Sequence, residues 1–283
     1  MAASDLCFEL RRILRRYSRM LRLSKRLGQH ILRGCKLSSD FASALRKLQP
    51  SKVLEVGTGI GSLTIILSRF SEKVVTIEID PRLAYIARKV LGKHPNVEII
   101  LGDGLAFLRT SSIRADAVCA NPPFNITGPL VSAIIKSNYD FALMTLQKEV
   151  AEKLVASPGT RSYGRLTVFV RTFMDVRLIG TYSPDEFLPK PEVDISLVLL
   201  SRKKRWERTW DIYEDLLRCV FSQRRKLARK ILRRCLKDLP ELRNCRWEKL
   251  EDLEDKRVFS LDPELLANIF DSCISTERQE TLV

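Results

Sequence analysis

Long apolar runs are missing from this 283-residue chain. No stretch approaches the roughly 18 consecutive apolar residues of a membrane-spanning helix, so the expectation is a soluble protein with no membrane partner. Histidine is nearly absent, with only His30 and His94, and no two cysteines stand in a Cys-x-x-Cys pair. No zinc-ligand spacing follows from such a set, and no metal site is expected. The seven cysteines, at 7, 35, 119, 219, 235, 245 and 273, are odd in number and dispersed. That pattern reads as reduced thiols in an intracellular compartment, most of them small buried hydrophobes. Negative charge is also in deficit, with 34 Asp and Glu against 49 Lys and Arg, for a net charge of +15.

The excess of positive charge is concentrated. Residues 1–36 hold 10 Lys/Arg against 2 Asp/Glu, and residues 202–237 hold 14 against 4, so the rest of the chain sums to −3. A near-neutral body with two basic segments is the footprint of a polyanion binder, because clustered cations neutralise phosphates and release counterions. Solvated helix faces are the plainer alternative. Near the N-terminus, Leu10, Ile13, Leu14, Tyr17 and Leu21 recur at helical spacing with arginines between them. An organellar transit segment has this look, but Asp5 and Glu9 argue instead for a basic amphipathic helix of a cytoplasmic protein.

Strand and helix patterns alternate from about residue 38 to 200. Five strand-like runs fall at Val53–Val56, Val74–Glu78, Val97–Ile100, Ala115–Ala120 and Tyr139–Thr145. Helical stretches separate or follow them at Ser62–Phe70, Pro81–Leu91, Gly128–Lys136 and Gln147–Val155. This rhythm calls for a doubly wound, mainly parallel sheet with helices on both faces. After Ser157-Pro158-Gly159 come a helical stretch, Gly164–Phe173, and two strand-like runs, Val176–Tyr182 and Val193–Leu200, which suggest an antiparallel addition at the sheet edge. Beyond residue 205 the pattern is helical, at Trp210–Phe221, Gln223–Leu236 and Pro263–Phe270. The expected division is therefore a basic extension over 1–25, an α/β domain over 26–204 and a small all-α domain over 205–283.

The first strand of the α/β region runs into Gly57-Thr58-Gly59-Ile60-Gly61 and then a helix. Glycine at such a turn lets backbone amides approach a ligand beside the positive end of the helix. Nucleotide dehydrogenases use a similar turn, so a dinucleotide reading stays open. Glu78 closes the second strand, where a carboxylate is placed to accept from both hydroxyls of a ribose. Asp103 follows the third strand and is placed to hold an adenine amine. Acids at these two strand ends, following the turn that holds Gly57 and Gly59, make the layout of an S-adenosylmethionine site, although each acid alone reads more readily as a helix cap or turn acid.

Asn121-Pro122-Pro123-Phe124 follows the fourth strand. Two prolines cannot extend a ladder, and Asn-Pro commonly marks a turn. The same residue types suit methylation of an exocyclic amine. An adenine amine is a poor nucleophile because its lone pair is delocalised into the ring. If the Asn121 side-chain oxygen and the Pro122 backbone oxygen accept its two hydrogens, the nitrogen is drawn towards a tetrahedral shape and its lone pair is aimed. Phe124 would stack on the extruded base, and Phe187 in Phe-Leu-Pro-Lys-Pro is the candidate for its other face, although alone it reads as a core phenylalanine beside a turn.

From Arg26 to Phe270 the chain resembles the small-subunit rRNA adenine N6,N6-dimethyltransferase family, the KsgA-like enzymes. The resemblance lies in Leu27–Leu32 (LGQHIL), Val53–Thr64 (VLEVGTGIGSLT), Glu78–Asp80, Gly102-Asp103, Asn121–Leu130, Leu146–Ala151 (LQKEVA), Tyr163–Leu166, Phe187–Asp194 (FLPKPEVD) and Val220–Lys226 (VFSQRRK). It implies a Rossmann-like class I methyltransferase fold with a seven-stranded sheet and a small helical C-terminal domain. It implies dimethylation of two adjacent adenines near the 3′ end of small-subunit rRNA, with S-adenosylmethionine as donor, by a monomer working within a pre-ribosomal small subunit. Carried over by position, cofactor contacts fall at His30, Leu32, Gly57, Gly59, Glu78, Asp103 and Asn121, and base contacts at Asn121, Phe124 and Phe187. Arg224, Arg225, Lys226 and Arg229 would hold rRNA phosphates. The family's usual Asn-Leu-Pro-Tyr is here Asn-Pro-Pro-Phe, which keeps a stacking ring without its hydroxyl. His30 stands where an asparagine is common, and it reads alternatively as a cap on the following segment. A large-subunit methyltransferase of resistance type and an RNA-binding assembly factor without catalysis are the rival readings.

Overall fold

The computed structural model describes residues 3–17, 23, 29–110, 113–243, 245, 253 and 255–280. Leu21, Leu27 and Gly28 of the sequence patterns lie outside the described residues.

A seven-stranded sheet runs in the order β4-β3-β2-β5-β6-β9-β7. Its strands are β2 (Lys52–Val56), β3 (Lys73–Glu78), β4 (Val97–Leu101), β5 (Ala117–Ala120), β6 (Phe141–Gln147), β7 (Met174–Tyr182) and β9 (Ile195–Arg202). The pairs β2–β3, β3–β4, β2–β5 and β5–β6 are parallel, and β9 lies antiparallel on β6. The chain leaves β2 first towards β3 and β4, then crosses back to β5 on its other side. Ligand crevices of open α/β sheets form at the carboxyl ends of strands flanking such a reversal. Here those ends deliver Gly57 and Asn121 side by side. A separate antiparallel pair, β1 (Ile31–Leu32) with β8 (Phe187–Leu188), sets Leu32 opposite Phe187 and brings the Phe-Leu-Pro-Lys-Pro segment next to His30.

Helices α2 (Cys35–Leu48), α3 (Ser62–Phe70), α4 (Pro81–Leu91), α5 (Gly104–Thr110), α6 (Thr127–Lys136) and α7 (Lys148–Val155) connect or follow the strands. Helix α3 shows the local logic: Leu63, Ile65, Ile66 and Leu67 are all buried, so it is apolar nearly all round and belongs to an interior. Gly104 opens α5 where a Cβ would come within 2.8 Å of Val56 Cγ1, so only glycine lets that helix start against β2.

The N-terminal helix α1 (Ala3–Tyr17) is part of the α/β core. Leu6, Leu10, Ile13, Leu14 and Tyr17 are buried in one cluster with residues of α2, α3 and the sheet, while Arg11, Arg12, Arg15 and Arg16 stay exposed. The periodicity expected for this segment is therefore present, with its apolar face used for packing.

The chain divides into two compact units, 1–151 with 176–202, and 152–175 with 203–283. The boundary expected near residue 205 falls close to one of these divisions, but α8 (Arg165–Phe173) belongs with the helical unit. Its aromatic side chains explain why: the Phe173 ring lies 5.0 Å from those of Trp206 and Trp210. Helices α9 (Trp210–Phe221), α10 (Ala228–Asp238) and α11 (Pro263–Glu280) complete this unit. The helix expected over Gln223–Leu236 begins late, because residues 224–228 pair their backbone with 256–259 instead. Phe259 N donates to Arg224 O at 2.9 Å, and Ala228 N donates to Lys256 O at 2.7 Å.

The expectation of reduced thiols is overturned for six cysteines. Disulfides join Cys7–Cys35, Cys219–Cys235 and Cys245–Cys273, with Cα atoms 4.9, 5.8 and 4.5 Å apart. Among the described residues only Cys119, buried on β5, is free. Sequence separations of 16 and 28 carry no pairing signal; packing of α1 on α2 brings Cys7 to Cys35, and packing in the helical unit brings the other two pairs together. No helix among the described residues is long and apolar enough to cross a membrane.

Candidate active site

A cavity opens at the carboxyl ends of β2, β3 and β5, and it is lined by His30, Leu32, Gly57, Gly59, Glu78, Asp103 and Asn121. All seven residues expected to hold a cofactor are thus brought to one place from segments up to 91 residues apart.

The glycine turn is built by backbone geometry. Gly57, Gly59 and Gly61 have φ of 88°, 56° and 91°, in the left-handed region that a side chain disfavours. A Cβ added at Gly57 or Gly59 would meet no atom within 4 Å, so it would stand in the open cavity. The turn is tied to β3 by the Gly57 and Thr58 amides, which donate to Ile77 O at 2.9 and 3.3 Å. Below it lies a buried polar chain. Glu55 Oε2 accepts from Thr64 and Thr76 hydroxyls, each at 2.6 Å, and the Thr76 hydroxyl also meets that of Thr58 at 2.6 Å. Complete burial pushes the Glu55 carboxyl up to about 8, against the smaller opposing effect of the threonine hydroxyls.

Glu78 is held in place by backbone amides. Its two oxygens accept from Gly59 N at 2.7 Å and Asp80 N at 2.9 Å. Burial still raises this carboxyl above the ordinary range, the two amides pulling it the other way. Each oxygen keeps a further lone pair for a ligand hydroxyl. Asp80 caps α4 through Arg82 N, and its carboxyl is lowered to about 2, chiefly by the Arg82 guanidinium. Asp103 combines both roles weighed for it, capping α5 through Leu105 N at 2.8 Å while lining the cavity. Sequence reasoning missed Gln29, Ile79 and Ser62. Ile79 is 55 % exposed on the cavity wall beside Glu78, where an apolar side chain suits the face of an aromatic ring. Ser62 Oγ, buried at the start of α3, has no hydrogen-bond partner. An orphaned hydroxyl, a helix N-terminus and a cradle that a Cβ would fill together fit a polar cofactor bearing a carboxylate and a ribose.

At the other wall, Asn121 is fixed from both ends of its amide. Its Nδ2 donates to His30 O at 2.6 Å, and its Oδ1 accepts from the Thr145 hydroxyl at 2.5 Å. Pro123 lines the cavity, and Pro122 is buried beside it. Phe124 is half-buried and does not itself line the cavity, because its ring stacks on the His30 imidazole with centroids 5.3 Å apart and planes 23° apart. His30 Nδ1 lies 2.8 Å from Pro189 O, which holds the imidazole there. His30 caps no helix; α2 starts after Gly34.

Two expectations fail on burial and pairing. Phe187 is 1 % exposed, packed in the core opposite Leu32, and offers no face to a base. Alternation along a two-residue strand sends its side chain inward, which a motif read without its sheet partner does not reveal. In the helical unit, Arg224 is half-buried, and its Nη2 donates to Thr160 O and Arg161 O at 3.3 and 3.0 Å. Its guanidinium thus ties together backbone of its own unit. Arg225 and Lys226 are exposed, and Arg229 is half-buried on α10.

Residues 20–271 match the family of ribosomal RNA adenine dimethylases. A ribosomal RNA small subunit methyltransferase A of Thermotoga maritima is 36 % identical over 214 residues, covering 75 % of each chain. A protein of Pyrobaculum aerophilum, described as a probable ribosomal RNA small subunit methyltransferase A, is 38 % identical over 248 residues, 87 % of this chain and 96 % of its own. Among solved structures, a dimethyladenosine transferase from Plasmodium falciparum superposes with a TM-score of 0.73 at 27 % identity, covering 89 % of this chain and 98 % of that one. The 23S rRNA methyltransferase ErmE superposes with a TM-score of 0.64 at 27 % identity, covering 86 % and 99 %. A match spanning nearly the whole chain, which includes the glycine turn and the Asn121 that line one cavity, places this chain in the ribosomal RNA adenine dimethylase family.

Proposed function

We propose that this protein dimethylates the N6 amines of two adjacent adenines near the 3′ end of small-subunit rRNA, using S-adenosylmethionine. The observation that carries the reading is the convergence of Glu78, Asp103 and Asn121 on one cavity, with Asn121 immobilised at its edge. Bound S-adenosylmethionine supplies a methyl carbon on a positively charged sulfur, which leaves as a neutral thioether when the amine lone pair takes the methyl group.

The residues of the chain do the rest by position. Glu78 receives the ribose hydroxyls, Asp103 the adenine amine, and the Gly57–Gly59 turn leaves room for the donor. His30 and Leu32 close the cavity from the β1 side. Asn121 Oδ1 has one lone pair taken by Thr145 and one left for a hydrogen of the target amine, while the Pro122 carbonyl takes the other hydrogen. Directing both hydrogens away from the ring plane unmasks the nitrogen lone pair, and holding nucleophile and carbon together supplies most of the acceleration. No charged base is needed, since the methylated nitrogen is acidic and gives its proton to water. Phe124 receives the base on the face where the His30 imidazole lies, so the ring of His30 yields or shares that face when the base enters.

The helical unit is the proposed rRNA holder, with exposed Arg225 and Lys226 and the basic α10 bearing Arg229 against phosphates. Arg224 supports that surface from behind. The substrate is proposed to be a partly assembled small subunit, met by a cytoplasmic monomer. The test is methyl transfer from radiolabelled S-adenosylmethionine by Asn121→Ala. We expect transfer to fall about 100- to 1,000-fold, with RNA affinity retained. Unchanged transfer would mean that Asn121 does not position the amine and that this reading of the site fails.

A further inference from the structure

The geometry points to Thr145 as a positioning residue that fixes Asn121 for the transfer, and above all for the second of the two methyl groups. This inference rests on the reading of Asn121 given above.

Thr145 sits in β6 and is 1 % exposed. It is the only polar residue in the buried run Ala142–Leu146. In the sheet register Ala120 of β5 lies opposite Met144, and one residue further along Asn121 leaves the end of β5 beside Thr145, which stays in β6 paired with Leu197 of β9. The Thr145 hydroxyl donates to Asn121 Oδ1 at 2.5 Å, and Asn121 Nδ2 donates to His30 O at 2.6 Å. Only one orientation of the amide satisfies this pair. Turned over, the oxygen of Asn121 would face the oxygen of His30, acceptor against acceptor. His30 therefore sets which way the amide points, and Thr145 sets where its oxygen stands. Thr145 does not line the cavity, so it acts through Asn121 alone.

The two transfers of one adenine differ in what they ask of that oxygen. An unmodified amine offers two hydrogens to two acceptors, and each corrects slack in the other. A monomethylated amine has one hydrogen left, so its alignment rests on a single hydrogen bond. Loosening Asn121 then costs the second transfer more than the first.

Thr145→Val keeps shape and removes the hydroxyl. We expect kcat to fall about tenfold, the worth of one buried hydrogen bond, with KM for RNA and Kd for S-adenosylmethionine within about twofold of wild type. Mass spectrometry of nucleosides from the modified RNA should show N6-monomethyladenine accumulating where wild type gives the dimethyl product. Thr145→Ser should restore both rate and product ratio, and Thr145→Ala should restore neither. Thermal melts and donor titration of each variant report folding and the cofactor wall. A Thr145→Val enzyme with wild-type rate and product ratio overturns the inference, as does a loss that tracks donor affinity or that Thr145→Ser does not repair. If Asn121→Ala retains full transfer, the reading of the site fails instead; if Asn121→Ala is inactive and Thr145→Val is normal, only the inference fails.

Discussion

The two walls of the cavity are built differently. The wall made by the glycine turn and Glu78 is assembled from backbone: amides of Gly59 and Asp80 hold the carboxylate, and the turn geometry follows from glycines whose φ is positive. The wall made by Asn121 and Pro123, with Phe124 stacked on His30 behind it, is assembled from side chains and carbonyls of three remote segments, around His30, Thr145 and Pro189. Backbone-built recognition tolerates substitution of neighbours but not of the glycines or the acid. A wall built from side chains is set by whatever the fold brings next to it, and each member is open to change by one substitution.

The largest expected effect separates a core ring from a site ring. Phe187→Ala should lower stability by about 3–5 kcal/mol in chemical denaturation, as for other truncated core aromatics. Phe124→Ala should leave the melting temperature nearly unchanged and instead lose about 1–3 kcal/mol of stacking, read as a fall in kcat/KM for RNA. An equal stability loss in both would erase the distinction drawn between them.

Next in size is a double dissociation between the walls. Glu78→Ala removes a carboxylate that receives two amides, and we expect S-adenosylmethionine affinity, measured by calorimetry, to drop by about 2–3 kcal/mol. Asn121→Ala should leave that affinity within about threefold of wild type, because its contribution lies on the amine side. Equal loss of donor binding in the two variants would show that the walls do not act separately.

A pH-dependent effect concerns the support beneath the turn. A Glu55 carboxyl that ionises near 4.5 when unfolded and near 8 when folded keeps its proton in the native state over the interval between. In that window the unfolded chain binds fewer protons, so stability falls as pH rises, by at most about 1.4 kcal/mol per pH unit, and levels off above about 8. Glu55→Gln should lack this component. Urea unfolding of both proteins from pH 4.5 to 8 should therefore show the variant gaining on wild type as pH increases. Parallel pH curves would mean that Glu55 is ionised in the fold.

Much of the architecture was legible because periodicity and turn chemistry are local. Ser62–Phe70, Pro81–Leu91 and Trp210–Phe221 occur with the bounds their patterns suggest. The glycine turn, Glu78 and Asp103 were legible for the same reason: each ends its strand or follows it within a residue or two. Elsewhere a neighbour distant in sequence decided the outcome. Residues 224–227 have a helical composition, but pairing with 256–259 claims their backbone. Phe187 resembles a base-stacking residue until β1 is laid beside it, and Arg224 a phosphate ligand until the carbonyls of 160 and 161 appear.

By itself the sequence determined the alternating fold, the place of the crevice and the chemical types at its mouth, since hydrophobic period, glycine freedom and proline rigidity act over a few residues. Tertiary structure alone decided the disulfide partners, the burial of Phe187 and the clamp on Asn121. Those depend on atoms within about 3 Å of one another from segments far apart along the chain, and a distance of that kind exists only once the sheet has closed its register.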